Sequence, residues 1–194
     1  MHGLSLQLHG LPLIMKRKNT RASIKHLTVC AMLTALGVIF LGLGALIEVL
    51  DISMAVFASI CVIIALIEYG KGTPWMVYAA ISVLSFILMP ANILPALFFT
   101  LFFGFYPILK EKLERKPKIV CWMLKELIFN VCLAIIITLY MLFFFQGISI
   151  AIPLPWIIVA AVLFCEVIFV IYDIALTRII TFYVLKLRHR FKLK

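Results

Sequence analysis

Residues 27–47 read LTVCAMLTALGVIFLGLGALI, with no charged side chain anywhere in the run. At 1.5 Å per residue such a run makes a helix of about 30 Å, the hydrocarbon thickness of a bilayer. Working outward, similar apolar runs recur at 52–67, 74–89, 93–109, 121–145 and 156–185. The breaks between them carry turn and charge signals. They are Glu48 with Asp51, the stretch from Glu68 to Pro74, Pro90-Ala91-Asn92, KEKLERKPK from Lys110 to Lys118, and GISIAIPLP from Gly147 to Pro155. The pattern predicts an all-α integral membrane protein of six transmembrane helices joined by short loops.

Charge sets the orientation. All 18 Lys and Arg residues fall before residue 27, at Lys71, between Lys110 and Lys125, or from Arg178 onward. With six spans, those four regions share one side of the bilayer. The excess of Lys and Arg on cytoplasmic loops then places both termini in the cytoplasm. The predicted organisation is a basic cytoplasmic segment over 1–26, a six-helix domain over 27–185 and a basic tail over 186–194. The first residues, MHGLSLQLHGLPLI, lack the positive n-region of a signal peptide. Translation is expected to start at Met15, or these residues form a disordered tail.

Composition agrees with this class and narrows the function. Hydrophobic residues make up 65% and charged residues 13% of 194, against roughly 25% charged in soluble domains. The polar stretches are too short for a separate folded head, which needs about 50 residues. The net charge of +10 is spread over several cytoplasmic segments, as topology and anionic lipid demand, so nucleic acid is excluded as a partner. The five cysteines form no CxxC pair and read as small buried hydrophobes. No GxxxxGK[ST] and no HExxH motif occurs, and the four His lie in or near the cytoplasmic ends. Catalysis, a metal centre and a cofactor are therefore not expected.

Four features bear on function. Ala31 and Ala35, four apart on one helical face, allow close approach of another backbone. Gly42 continues roughly that face, and the structural alternative is packing within the chain. Glu166 and Asp173 lie in the last span, about 20° apart around the helix. Ionisable groups inside a membrane are costly and face a cavity or a partner. Asp173, near the inner boundary, is expected to pair with Lys125 or Lys110. Glu166 lies about 15 Å below Trp156 by helical rise, with no Lys or Arg at its depth. It is the better candidate for ligand binding or proton coupling. Glu48, Asp51, Asn92, Gln146 and Trp156 sit toward the outside, where they line a pocket or simply solvate the interface. Asn130 and Thr100 are placed to hydrogen-bond between helices, and Gly104 with Pro107 predicts a kink in the fourth span.

The basic N-terminus, AMLTALGVIFLGLG over 31–44 with its AxxxA, and six short-looped spans resemble the substrate-binding S components of energy-coupling factor (ECF) transporters. That resemblance implies a small subunit of a bacterial plasma membrane that captures a vitamin-like solute. It implies docking of Ala31 and Ala35 on a transmembrane T subunit, with two ATPase subunits supplying energy. Substrate would meet the outer ends of spans 4 to 6 and the last span, through Asn92, Gln146, Trp156 and Glu166. Two other readings stay open. One is a non-catalytic scaffold of cell-envelope assembly, and the other a small stand-alone secondary transporter using Glu166.

Overall fold

The structure, a computed structural model, describes the backbone of residues 5–70, 72–144 and 155–187, with side chains from residue 23 onward at most positions. Among the described residues the chain is helical, without a strand. The first helix, α1 (Ser5–Leu46), passes through a 3-10 turn (Glu48–Leu50) into α2 (Asp51–Tyr69). Gly70, at φ 79°, makes the left-handed turn before α3 (Thr73–Leu88). The fourth rod is composite: α4 (Leu94–Phe98), a π-helical segment (Phe99–Phe103) and α5 (Tyr106–Leu113). Then come α6 (Lys118–Phe144) and α7 (Pro155–Phe182), whose last turn runs into a second π segment (Tyr183–Leu187).

Four rods are long and apolar enough to cross a membrane: Ser23–Leu46, Asp51–Tyr69, Leu94–Leu113 and Lys118–Leu139. The 16 residues of α3 rise only about 24 Å. The 28 residues of α7 rise about 42 Å and carry Glu166, Asp173 and Arg178. The helix that carries the first apolar run is continuous from Ser5, through the basic stretch that precedes it. No Gly or Pro stands between residues 13 and 25 to stop it.

Small residues let the first four rods close tightly. A Cβ added at Gly37 would collide with the Ile81 side chain of α3. Ala55, Ala58, Val62, Ile81 and Phe99 are fully buried where α2 meets its neighbours. By contrast, α7 keeps its backbone at a distance and reaches the bundle through the long side chains of Phe169, Tyr172, Asp173 and Leu176. The outer faces are apolar. Met32 on α1, Met123 and Leu127 on α6, and Leu163, Phe164 and Ile171 on α7 are each at least 60% exposed. Hydrocarbon neighbours suit such a surface, whereas soluble monomers keep exposed apolar patches small.

The expected kink in the fourth rod has a traceable cause. The Gly104 N–H donates to Phe99 O at 2.6 Å, one residue further back than in an α-helix. That leaves the Thr100 carbonyl without its usual partner, and the Tyr78 hydroxyl of α3 donates to it at 2.9 Å. Pro107, in the first turn of α5, has no N–H to continue the ladder. Gly104 is required for the packing as well, since a Cβ there would lie 2.6 Å from the Tyr78 ring and 2.9 Å from the Phe99 ring. Gly104→Ala is expected to cost about 1–3 kcal/mol by overpacking. Tyr78→Phe should cost about 1 kcal/mol through the orphaned carbonyl. Thermal unfolding in mild detergent measures both, and wild-type melting of Gly104→Ala would refute the packing account.

Candidate functional site

At one end of the bundle, α5, α6 and α7 meet on a buried ion layer. Lys110, Lys125 and Asp173 are 1%, 4% and 5% exposed. The Lys110 ammonium donates to Asp173 Oδ1 at 2.5 Å, to the Asp173 carbonyl at 2.8 Å and to Thr177 Oγ1 at 2.7 Å. Lys125 donates to both Asp173 carboxylate oxygens, at 3.1 and 3.0 Å. The Tyr106 hydroxyl donates to Oδ1 at 2.6 Å. Glu114, about half exposed, approaches the two ammonium groups at 3.5 and 3.6 Å. Two cations and two anions thus balance, and the Asp173 carboxylate is saturated with donors. A buried charge is tolerated only when paired and hydrogen-bonded in this way. Asp173 was expected to pair with Lys125 or Lys110; it pairs with both. Thr177 and Glu114 join the layer without having stood out in the sequence.

An aromatic layer lies directly against the ions. Phe102, from the π segment, has ring centroids 4.9 Å from Tyr106, 5.4 Å from Phe129 and 5.9 Å from Phe169. Phe129 and Phe169 stack at 4.5 Å, 12° from parallel. These rings join α6 and α7 to the fourth rod, leaving the layer unsuited to admitting a solute.

Glu166 sits two turns further from the ions on α7. Its Oε1 accepts from Asn130 Nδ2 at 2.7 Å, and Asn130 also donates to the Glu126 carbonyl at 3.1 Å. The Glu126 side chain lies beside Glu166. Glu166 Oε2 is buried and makes no hydrogen bond among the described residues. Asn130 is thus the interhelical bridge its sequence position suggested. Glu126 was missed, although it stands one turn before Asn130 on the same face of α6.

Asn92 lies elsewhere, in the turn between α3 and α4. Its Oδ1 accepts the Leu94 N–H at 3.1 Å, and its Nδ2 reaches Ala45 O and Asp51 Oδ1, each at 3.4 Å. It ties the α1–α2 turn to the start of the fourth rod. Asn92 also lines a groove of about 410 Å³ between the ends of α1 and α3, with Ile39, Gly42, Leu46, Leu88 and Met89. Trp156 is 65% exposed on the first turn of α7. Gln146 falls outside the described residues. Asn92 and Glu166 share no partner, so the proposed substrate-contacting residues that are described do not converge on one pocket.

On α1, the stripe Leu33, Gly37, Leu41 and Gly44 is buried against the bundle, whereas Ala31 and Ala35 are exposed. By helical geometry the two alanines lie roughly 125–165° from the middle of that stripe. Packing within the described chain therefore does not use them. Gly42 continues the alanine face, about 20° from each alanine, and there borders the groove, where an added Cβ would lie 3.2 Å from Met89.

No family model, curated protein or solved structure matches the chain. Asp173→Asn, which leaves two buried ammonium groups short of their counter-charge, is expected to cost about 3–5 kcal/mol. Adding Lys110→Met should recover part of the loss, leaving Lys125 opposite Glu114. Detergent melting curves of the single and double variants measure this coupling, and strict additivity would show that Lys110 and Asp173 are not energetically coupled.

Proposed function

We propose that this chain is a membrane-embedded substrate-binding subunit, similar to the S components of ECF transporters, in a bacterial plasma membrane. It docks on a T-like membrane subunit through Ala31 and Ala35, and two ATPase subunits supply the energy. The observation that carries this reading is the exposure of both alanines on the face of α1 turned away from the bundle. Small residues in a lipid-facing stripe give little to the lipid but permit close backbone contact with another helix.

The groove between α1 and α3 supports the solute-binding half of the proposal. Its volume of about 410 Å³ lies within the usual range for small-molecule sites. Its lining is apolar apart from Asn92, which suits a small, largely apolar solute with one hydrogen-bonding group. In this assignment Asn92 contacts substrate directly. Glu166, Gln146 and Trp156 remain candidates on the last two spans and the loop between them.

The stand-alone transporter reading rests on a different observation: Glu126 beside Glu166, with an unpaired buried carboxylate oxygen. Intramembrane carboxyls of this kind serve proton relays. If that reading holds, uptake into liposomes containing only this chain follows a pH gradient, and Glu166→Gln abolishes it.

The deciding experiment for the first reading is affinity capture of tagged full-length chain from its host in mild detergent. Wild type is expected to recover a T-like subunit and two ATPases, together with a small molecule. Ala31→Leu combined with Ala35→Leu should reduce that recovery at least tenfold while leaving the melting temperature unchanged. Equal recovery by the double variant sinks the docking assignment, and recovery of envelope-assembly proteins without a ligand supports a scaffold instead.

A further inference from the structure

We infer that the C-terminal end of α7 holds one anionic phospholipid of the cytoplasmic leaflet. Arg178, Thr181, Phe182, Leu185 and Lys186 line a single open groove of about 570 Å³. All five are exposed, Phe182 and Leu185 by 55% and 75%. The lining combines two cations, one hydroxyl and two apolar side chains, and no acid. Among the described residues neither Arg178 nor Lys186 forms an ion pair. Glu68, an acid that meets this end of the helix, accepts from the Tyr183 hydroxyl at 3.3 Å and is not part of the groove.

Depth selects the ligand. Asp173 marks the level at which charges must be buried and paired. Arg178 is five residues beyond it, about 7.5 Å further along the helix. Lys186 lies about 12 Å beyond Arg178, so the stretch between them, with Phe182 and Leu185, is where the helix passes from hydrocarbon to headgroups. A phosphodiester between Arg178 and Lys186 receives charge-assisted hydrogen bonds, and an acyl chain covers Phe182 and Leu185. The Lys186 ammonium lies 5.6 Å from the Phe182 ring centroid, which keeps the cation beside the apolar wall. A free phosphate would use the cations and leave that wall bare, whereas a two-part ligand covers both. This inference rests on α7 spanning the membrane with its C-terminal end inward. It does not depend on the transporter role, so partner capture and lipid binding fail independently.

The test uses the full chain, purified in mild detergent and supplied with equal amounts of phosphatidylglycerol and phosphatidylcholine. Native mass spectrometry counts the retained lipid. Wild type is expected to retain one phosphatidylglycerol in preference to phosphatidylcholine. Arg178→Gln with Lys186→Gln should weaken that retention about 30-fold, taking about 1 kcal/mol per basic residue at an anionic surface, and leave phosphatidylcholine unchanged. The basic tail is intact in this variant, so a preference that survives it belongs to the tail and overturns the assignment. Displacement of the lipid by inorganic phosphate alone also overturns it, since the apolar half would then contribute nothing. Should the double variant fail to fold, Phe182→Ser with Leu185→Ser removes the wall instead. Loss of retention there supports the site, and full retention refutes it.

Discussion

Charge neutrality in a confined, water-poor layer is the constraint on which this structure rests. Lys110 from the fourth rod and Lys125 from α6 both need the carboxylate of Asp173 on α7. Neither lysine is carried to solvent by a long side chain, because both are almost fully buried. The three helices must therefore meet at one depth and in one rotational setting. A slide of a single turn would part the charges by about 5 Å, and the burial of unpaired ions would oppose it. The aromatic layer from Phe102 to Phe169 adds dispersion and ring–edge contacts to that setting. Ions fix the register, and the rings fill the space around it.

The π segment belongs to the same arrangement. Inserting one wide turn at Phe99–Phe103 rotates the following residues relative to an unbroken α-helix. Tyr106 and Lys110 then face α7, while Phe102 points among the rings. The freed carbonyl at Thr100 is capped from α3, so the distortion leaves no backbone debt in an apolar setting. Local irregularity in the fourth rod is thus coupled to the placement of α7.

Much of this was legible in the sequence, for identifiable reasons. Apolar run length and the Gly and Pro breaks located the helices to within a few residues, since a turn in an apolar chain needs a visible signal. The pairing of Asp173 followed from depth alone, because few cations exist at its level. The kink at Gly104 and Pro107 followed from backbone chemistry. What stayed hidden depends on rotation about helix axes. Whether Ala31 faces the bundle or the lipid, whether Glu126 meets Glu166, and whether Asn92 is engaged in a turn are set by packing between distant segments. The Ala31–Ala35 spacing is identical for an inner or an outer face. The apolar run located the first span, while the extension of α1 back to Ser5 carries no apolar signal, although Lys and Arg are good helix formers.

The ion layer joins residues far apart in the order of synthesis. Asp173 follows Lys110 by 63 residues and Lys125 by 48. Membrane proteins are threaded into the bilayer from the N-terminus as they are made, so both lysines arrive well before their carboxylate. During that interval Glu114 is the one acid of the layer already present. The half-made protein therefore carries an exposed cationic defect that only the last helix repairs. Closing the charge layer is thus a step that the order of the chain reserves for α7.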